Sequence, residues 1–175
     1  MKQLFTVLSL ALGIAAAADT VIFKDDFEST ANWFKNPACE TPQFGGGGTL
    51  QLVDGGKTGK CLKIVTNSKQ MFMLNLRRSL PVKDGSRLRI SFLVRGKGAI
   101  SINPLGRTAD KKTVYLHANT GMEKISNSDW EKIPFIVIFK DPKGTALTEI
   151  GLRLNVLGNS EVLIDDCLIE VTSKP

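Results

Sequence analysis

The chain is short of the residues that most often do chemistry. It has one histidine, His117, and one tyrosine, Tyr115, beside two tryptophans and three cysteines. A single histidine, with no serine in a nucleophile-elbow motif, leaves hydrolase triads without support. The His and Cys cluster that zinc requires is absent. No sustained 3.6-residue periodicity runs through residues 19–175, which argues against a helical bundle, and no segment repeats. Basic residues are scattered rather than gathered into a stripe, and no nucleic-acid motif appears, so nucleic acid is excluded as a partner.

What is present begins with an export signal. Met1-Lys2-Gln3 is a short basic start, residues 4–14 form an apolar run too short to span a bilayer, and residues 15–18 are four alanines. This reads as a secretory signal peptide over 1–18, cleaved after about Ala18, followed by one domain over 19–175. Removing 18 of 175 residues leaves 157, enough for a single core, and losing Lys2 takes the net charge from +6 to +5. A surplus of that sign favours acidic partners. The expectation is a monomer, secreted to a periplasm or outside the cell, with no membrane insertion once the signal is gone.

Three cysteines in an exported chain allow one disulfide and one spare thiol. Cys167 sits where a strand needs a small apolar residue, so Cys39–Cys61 is the expected bridge, one of three pairings open to the sequence.

The rest reads as short strands between turns. Arg87 to Arg95 alternates most clearly, with Leu88, Ile90, Phe92 and Val94 inward. Further strands are expected at 21–27, 49–53, 61–66, 70–77, 99–103, 113–118, 133–139, 149–157 and 162–171. Turn signals such as Lys83-Asp84-Gly85 and Asp141-Pro142-Lys143-Gly144 separate them. The pattern predicts an all-β fold, a two-sheet antiparallel sandwich, with a closed barrel as the alternative on the same signals.

The closing strand carries Asp165 and Asp166 side by side, so an acid falls in an apolar row whichever face is buried. A buried carboxylate needs hydrogen bonds, an ion partner or a metal. Asp25, Asp26 and Glu28 stud the first strand, so the two chain ends are expected to be neighbours sharing a cation.

Taken in order, these parts resemble carbohydrate-binding modules of the family 4, 9 and 22 type, which have the galactose-binding-domain-like jelly roll. The resemblance rests on Asp25-Asp26-Phe27-Glu28 with Trp33, Gly56-Lys57-Thr58-Gly59-Lys60-Cys61-Leu62-Lys63-Ile64, the stretch from Val82 to Gly96, Trp130 with Phe135, and Ile164-Asp165-Asp166-Cys167. It implies a jelly-roll sandwich with a structural calcium site at the joined ends. Glu28 and Asp165 would be its carboxylates, and Asp26 is added as a candidate. Calcium's taste for several hard oxygens agrees.

The rows opposite the apolar ones hold Arg89, Ser91, Ser101, Asn103, Tyr115, His117, Arg153 and Asn155. On a module of this type they would form the polar concave face that holds a sugar chain. Arginine and asparagine fork onto paired hydroxyls or acid groups, and an aromatic ring stacks on a sugar ring. Arg89, Ser91, Asn103, Tyr115, His117, Arg153 and Asn155 are therefore the candidate ligand contacts. Glycan-binding modules usually show several exposed aromatics, and this chain has few, with Trp33 and Trp130 expected in the core. The reading is a secreted, non-catalytic carbohydrate-binding protein for acidic or short glycans. The alternatives are a structural or adhesive envelope module without sugar binding, and a small polysaccharide lyase using Tyr115 or His117 with an arginine.

Overall fold

The computed structural model describes residues 19–45, 47–118 and 121–172; the expected signal segment, 1–18, lies outside them. Strands β1 (Thr20–Asp25) and β2 (Trp33–Lys35) precede two 3-10 turns, Pro37–Glu40 and Pro42–Phe44. Next come β3 (Thr49–Asp54), β4 (Lys60–Thr66), β5 (Phe72–Leu76) and the two-residue β6 (Leu80–Pro81). The chain then runs through β7 (Arg87–Arg107), β8 (Thr113–Tyr115), β9 (Glu123–Ile138), β10 (Glu149–Val156) and β11 (Ser160–Thr172). Among the described residues there is no α-helix, and all strand pairings are antiparallel. The expected jelly-roll sandwich is what the chain forms.

β7 builds both layers. Its first half lies between β11 and β9, and β11 carries β4, β3 and β1. Its second half pairs with β10 and β8, and β10 carries β5, then β2. The alternation suggests two strands, at 87–95 and 99–103. The chain instead bends as one strand because Gly96 and Gly98 adopt φ of +125° and +150°, backbone states that side chains rarely reach. A Cβ at Gly96 would also collide with the Glu161 carbonyl oxygen.

Between the layers lies the core. Leu88, Ile90, Phe92 and Val94 are completely buried, as their alternation predicts. Phe92 packs between Trp33, 6.3 Å between ring centroids, and Phe135, at 6.5 Å, so one ring ties β2 to both β7 and β9. Each such ring buried contributes about 1.5–3 kcal/mol.

β11 resolves the conflict posed by its two acids. A bulge falls between Asp165 and Leu168, with Asp166 at φ +41°. The inward row therefore changes parity, from Val162 and Ile164 before the bulge to Cys167 and Ile169 after it, all fully buried. Both carboxylates leave the apolar row.

Three expectations need correction. β9 begins at Glu123 rather than near 133, because residues 123–132 are too polar to show strand periodicity yet pair with β7. Trp130, expected in the core, lies half-buried with the Arg95 guanidinium 4.9 Å from its ring centre. All three cysteines are free thiols, so the Cys39–Cys61 bridge is not formed. Cys39 sits in the 3-10 turn that follows β2 of the second layer, its thiol donating to the Asn36 carbonyl at 2.8 Å. Cys61 is in β4 of the first layer, opposite Val53.

Candidate functional site

The outer face of the second layer is assembled by register. Phe34 of β2 stands beside Asn75 of β5, Asn75 beside Arg153 of β10, and Arg153 beside Asn103 of β7. The neighbouring row is Met73, Asn155 and Ser101. A third row runs from Gly151 through Leu105 to Tyr115 of β8. Inward alternation of Leu74, Leu152, Leu154 and Ile102 turns these residues outward.

Side chains on this face hold one another in place. Arg153 donates through Nε to Asn75 Oδ1 at 3.2 Å, and Asn36 Nδ2 reaches the same oxygen at 3.5 Å. The terminal nitrogens of Arg153 have no partner among the described residues, so the fork of the guanidinium is free for a ligand. Asn155 donates through Nδ2 to Ser101 Oγ at 3.2 Å. Its Oδ1 is buried without a donor, a condition that costs about 1–3 kcal/mol unless water or a ligand supplies the hydrogen. Tyr115 is 67% exposed and borders a hollow of about 320 Å³ shared with Thr113, Asp141 and Pro142. His117 is also exposed, and the two rings flank the buried Leu116.

The expected ligand set divides between the layers. Asn103, Tyr115, His117, Arg153 and Asn155 come from the second layer's strands or the segment just beyond them. Arg89 and Ser91 lie on the first half of β7, in the other layer. Arg89 is already taken: Nε meets Glu170 at 3.0 Å and Nη2 meets Asp19 at 2.7 Å. Those hydrogen bonds, that to Glu170 first, raise its pKa. Ser91 is fully buried, and its hydroxyl has no partner. Asn75, Phe34 and Met73 complete the face and were not singled out from the sequence. The alternation of Met73 and Asn75 in β5 was visible, but what they stand beside is set by register alone.

The two chain ends do meet. Glu28 Oε1 accepts the Lys60 backbone N–H at 3.0 Å, and Asp165 Oδ2 accepts that of Lys57 at 2.7 Å. Both acids thus hold the Gly-rich turn between β3 and β4. Asp165 is 1% exposed and forms no ion pair among the described residues. Burial pushes its pKa up, against the two backbone N–H groups that it accepts, and the charges of Asp166 and Glu28 add to the rise. Asp25 stands apart from the turn. It accepts from Phe27 N at 2.8 Å, Asn32 Nδ2 at 2.8 Å and Trp33 Nε1 at 3.0 Å, so it serves the core. Asp26 is exposed and, among the described residues, accepts only from Glu28 N, at 3.4 Å. Among the described residues no three His, Cys, Asp or Glu side chains cluster as metal ligands.

No family model matches this chain, and no curated protein does either. Solved structures do. The family 22 xylan-binding domain CBM22-1 of Xyn10C from Paenibacillus barcinonensis superposes with a TM-score of 0.63 at 17% identity, over 92% of this chain and 100% of that one. The family 11 carbohydrate-binding module of the cellulosomal cellulase Lic26A-Cel5E of Clostridium thermocellum gives 0.54 at 18%, over 90% and 97%. The enzymatically active domain of tailspike protein 4 of bacteriophage CBA120 gives 0.59 at 9%, over 84% of this chain and 20% of that one. At these identities what is shared is the fold: this chain is a jelly roll of the kind found in carbohydrate-binding modules of families 22 and 11.

Proposed function

We propose that this chain is a secreted, non-catalytic carbohydrate-binding protein that takes a short or acidic glycan on the outer face of its second layer. The observation that carries the reading is the side-chain oxygen Oδ1 of Asn155, buried without a donor beside Arg153, Asn103 and Ser101. A sugar hydroxyl supplies the missing hydrogen and can accept in turn from the free Arg153 fork. Exposed Tyr115 offers a flat apolar surface for a sugar ring. The whole-chain likeness to a xylan-binding domain supports the same ligand class. A short ligand suits a face with one exposed tyrosine, and an acidic one suits Arg153. Of the two arginines that a lyase could use, Arg89 is held by two carboxylates and lies in the other layer from Tyr115 and His117, which leaves Arg153 alone for that role.

We further propose a structural calcium ion at the joined ends. Asp165 is a buried carboxylate without a cation, Glu28 raises its pKa, and both grip the same turn, so Glu28 and Asp165 with backbone oxygens fit a hard cation. Asp26 supplies an oxygen only if its exposed carboxylate turns toward them. The ion would lock the ends together and take no part in sugar chemistry.

The test is affinity electrophoresis of residues 19–175 with calcium, through gels containing xylan, mixed-linkage glucan or polygalacturonate. Retardation on one gel that Arg153→Ala removes supports the proposal. A folded protein that no gel retards refutes it in favour of an envelope module without sugar binding.

A further inference from the structure

The first layer's outer face carries a separate hollow of about 350 Å³ where β7 bends from one layer to the other. Register sets its walls. Lys63 of β4 and Arg95 of β7 flank Leu163 of β11, and Lys97 stands opposite Glu161. Strands lie about 4.8 Å apart, so the Lys63 and Arg95 backbones are roughly 10 Å from each other. The bend at Gly96 and Gly98 opens the depression. Asn127 and Ser128 of β9 close the far side.

The charges of this hollow do not cancel. Glu161 pairs with Lys63 at 2.6 Å, and Glu131 accepts from the lining Asn127 at 2.9 Å, so three cations against two carboxylates leave a surplus of one positive charge. Arg95 is pre-positioned: Trp130 lies 4.9 Å beneath its guanidinium, and Nη2 donates to the Gly55 carbonyl at 3.3 Å. Neither Arg95 nor Lys97 has a carboxylate partner among the described residues. An aromatic-backed arginine beside an unpaired lysine, above the apolar Leu163 and next to the Ser128 hydroxyl, suits a group with two or three anionic oxygens on a ring with hydroxyls. Arg89, on the same layer, is instead answered by two carboxylates.

We propose that Arg95, Lys97 and Lys63 form a second ligand site, for the carboxylate or sulfate of an acidic saccharide, on the layer opposite the Arg153 face. The saccharide class rests on the glycan-binding reading; the place and the charge preference rest on this hollow alone.

Titration calorimetry on residues 19–175 tests it with trigalacturonate, its methyl ester and inorganic sulfate, beside a neutral xylo-oligosaccharide. Trigalacturonate should bind, the uncharged methyl ester at least tenfold more weakly, and Lys97→Glu and Arg95→Gln should each lower trigalacturonate affinity tenfold or more. The thermal midpoint of each variant reports that it is folded. Equal binding of the methyl ester, or trigalacturonate affinity lost in Arg153→Ala but not in Lys97→Glu, overturns the site. Sulfate that binds as tightly as trigalacturonate overturns its assignment to a saccharide. Lys97-dependent binding of trigalacturonate that Arg153→Ala leaves unchanged, with no affinity for the neutral oligosaccharide, would sink the Arg153 face and leave this site standing.

Discussion

The sandwich presents two outer faces built by the same long strand, and they differ in how their polar groups are satisfied. On the second layer, amides and one arginine hold one another while Asn155 Oδ1 and the Arg153 fork remain open. On the first layer, Arg89 and Lys63 are answered by Asp19, Glu170 and Glu161, while Arg95 and Lys97 have no carboxylate partner among the described residues. Composition alone does not set how a face is satisfied: Arg89 and Arg153 are the same residue type on equally regular strands. What separates them is whether the neighbouring strand supplies a carboxylate.

The largest disturbance is one that removes both faces together. Phe92→Ala empties the junction of Trp33 and Phe135 and should cost about 3–5 kcal/mol in denaturant unfolding; a loss below 1 kcal/mol would mean that the layers are not held by that ring. Next, Arg153→Ala should weaken glycan binding tenfold or more, about 1.4 kcal/mol, with a nearly unchanged thermal midpoint. Arg89→Ala should leave binding alone and cost at most about 1 kcal/mol of stability, since its ion pairs are partly solvated. If Arg89→Ala removed binding and Arg153→Ala did not, the two faces would have to exchange roles.

The joined ends give a subtler, pH-dependent effect. The folded pKa of Asp165 is raised by desolvation above its ordinary value of 3.8, so the folded state binds the proton more tightly than the unfolded chain. Without calcium, stability relative to Asp165→Asn should therefore rise as pH falls from neutral through that raised value, and level off near 3.8. Calcium should raise the thermal midpoint at neutral pH in the natural chain and not in Asp165→Asn, which is read from melting curves with calcium and with chelator. Asp110 acts in the opposite sense. Hydrogen bonds from Lys112 and Thr108 hold its pKa at about 2, so its contribution is present above about pH 4 and is lost as pH falls toward 2.

Much of this architecture could be read from the chain because one face of each strand is apolar. Leu88 to Val94 declared the core, and the acids at Glu28 and Asp165 declared the meeting of the ends. What stayed hidden depended on partners far away in sequence. The Asp165–Asp166 bulge shifts parity by one residue and cannot be seen in alternation that assumes a regular strand. The polar opening of β9 is a strand only because β7 lies beside it. Free Cys39 and Cys61 show the same limit: three cysteines in an exported chain suggested one bridge and a spare thiol, while what each cysteine stands beside is fixed by pairing. Of the site, Asn103, Arg153 and Asn155 were legible as an outward row; Asn75 needed the register of β5 on β10, and Arg89 was placed with them because alternation says which residues share a face of a strand but not which layer the strand joins.

The most direct test is a ¹H–¹⁵N titration of residues 19–175 with a xylo-oligosaccharide, following the side-chain amides of Asn75, Asn103 and Asn155 and the Arg153 Nε–H. The account predicts that these signals shift first and saturate together, while the backbone amides of Arg95 and Lys97 stay fixed. Shifts confined to the Arg95–Lys97 corner, or none on the Asn155 face at saturating sugar, would contradict it.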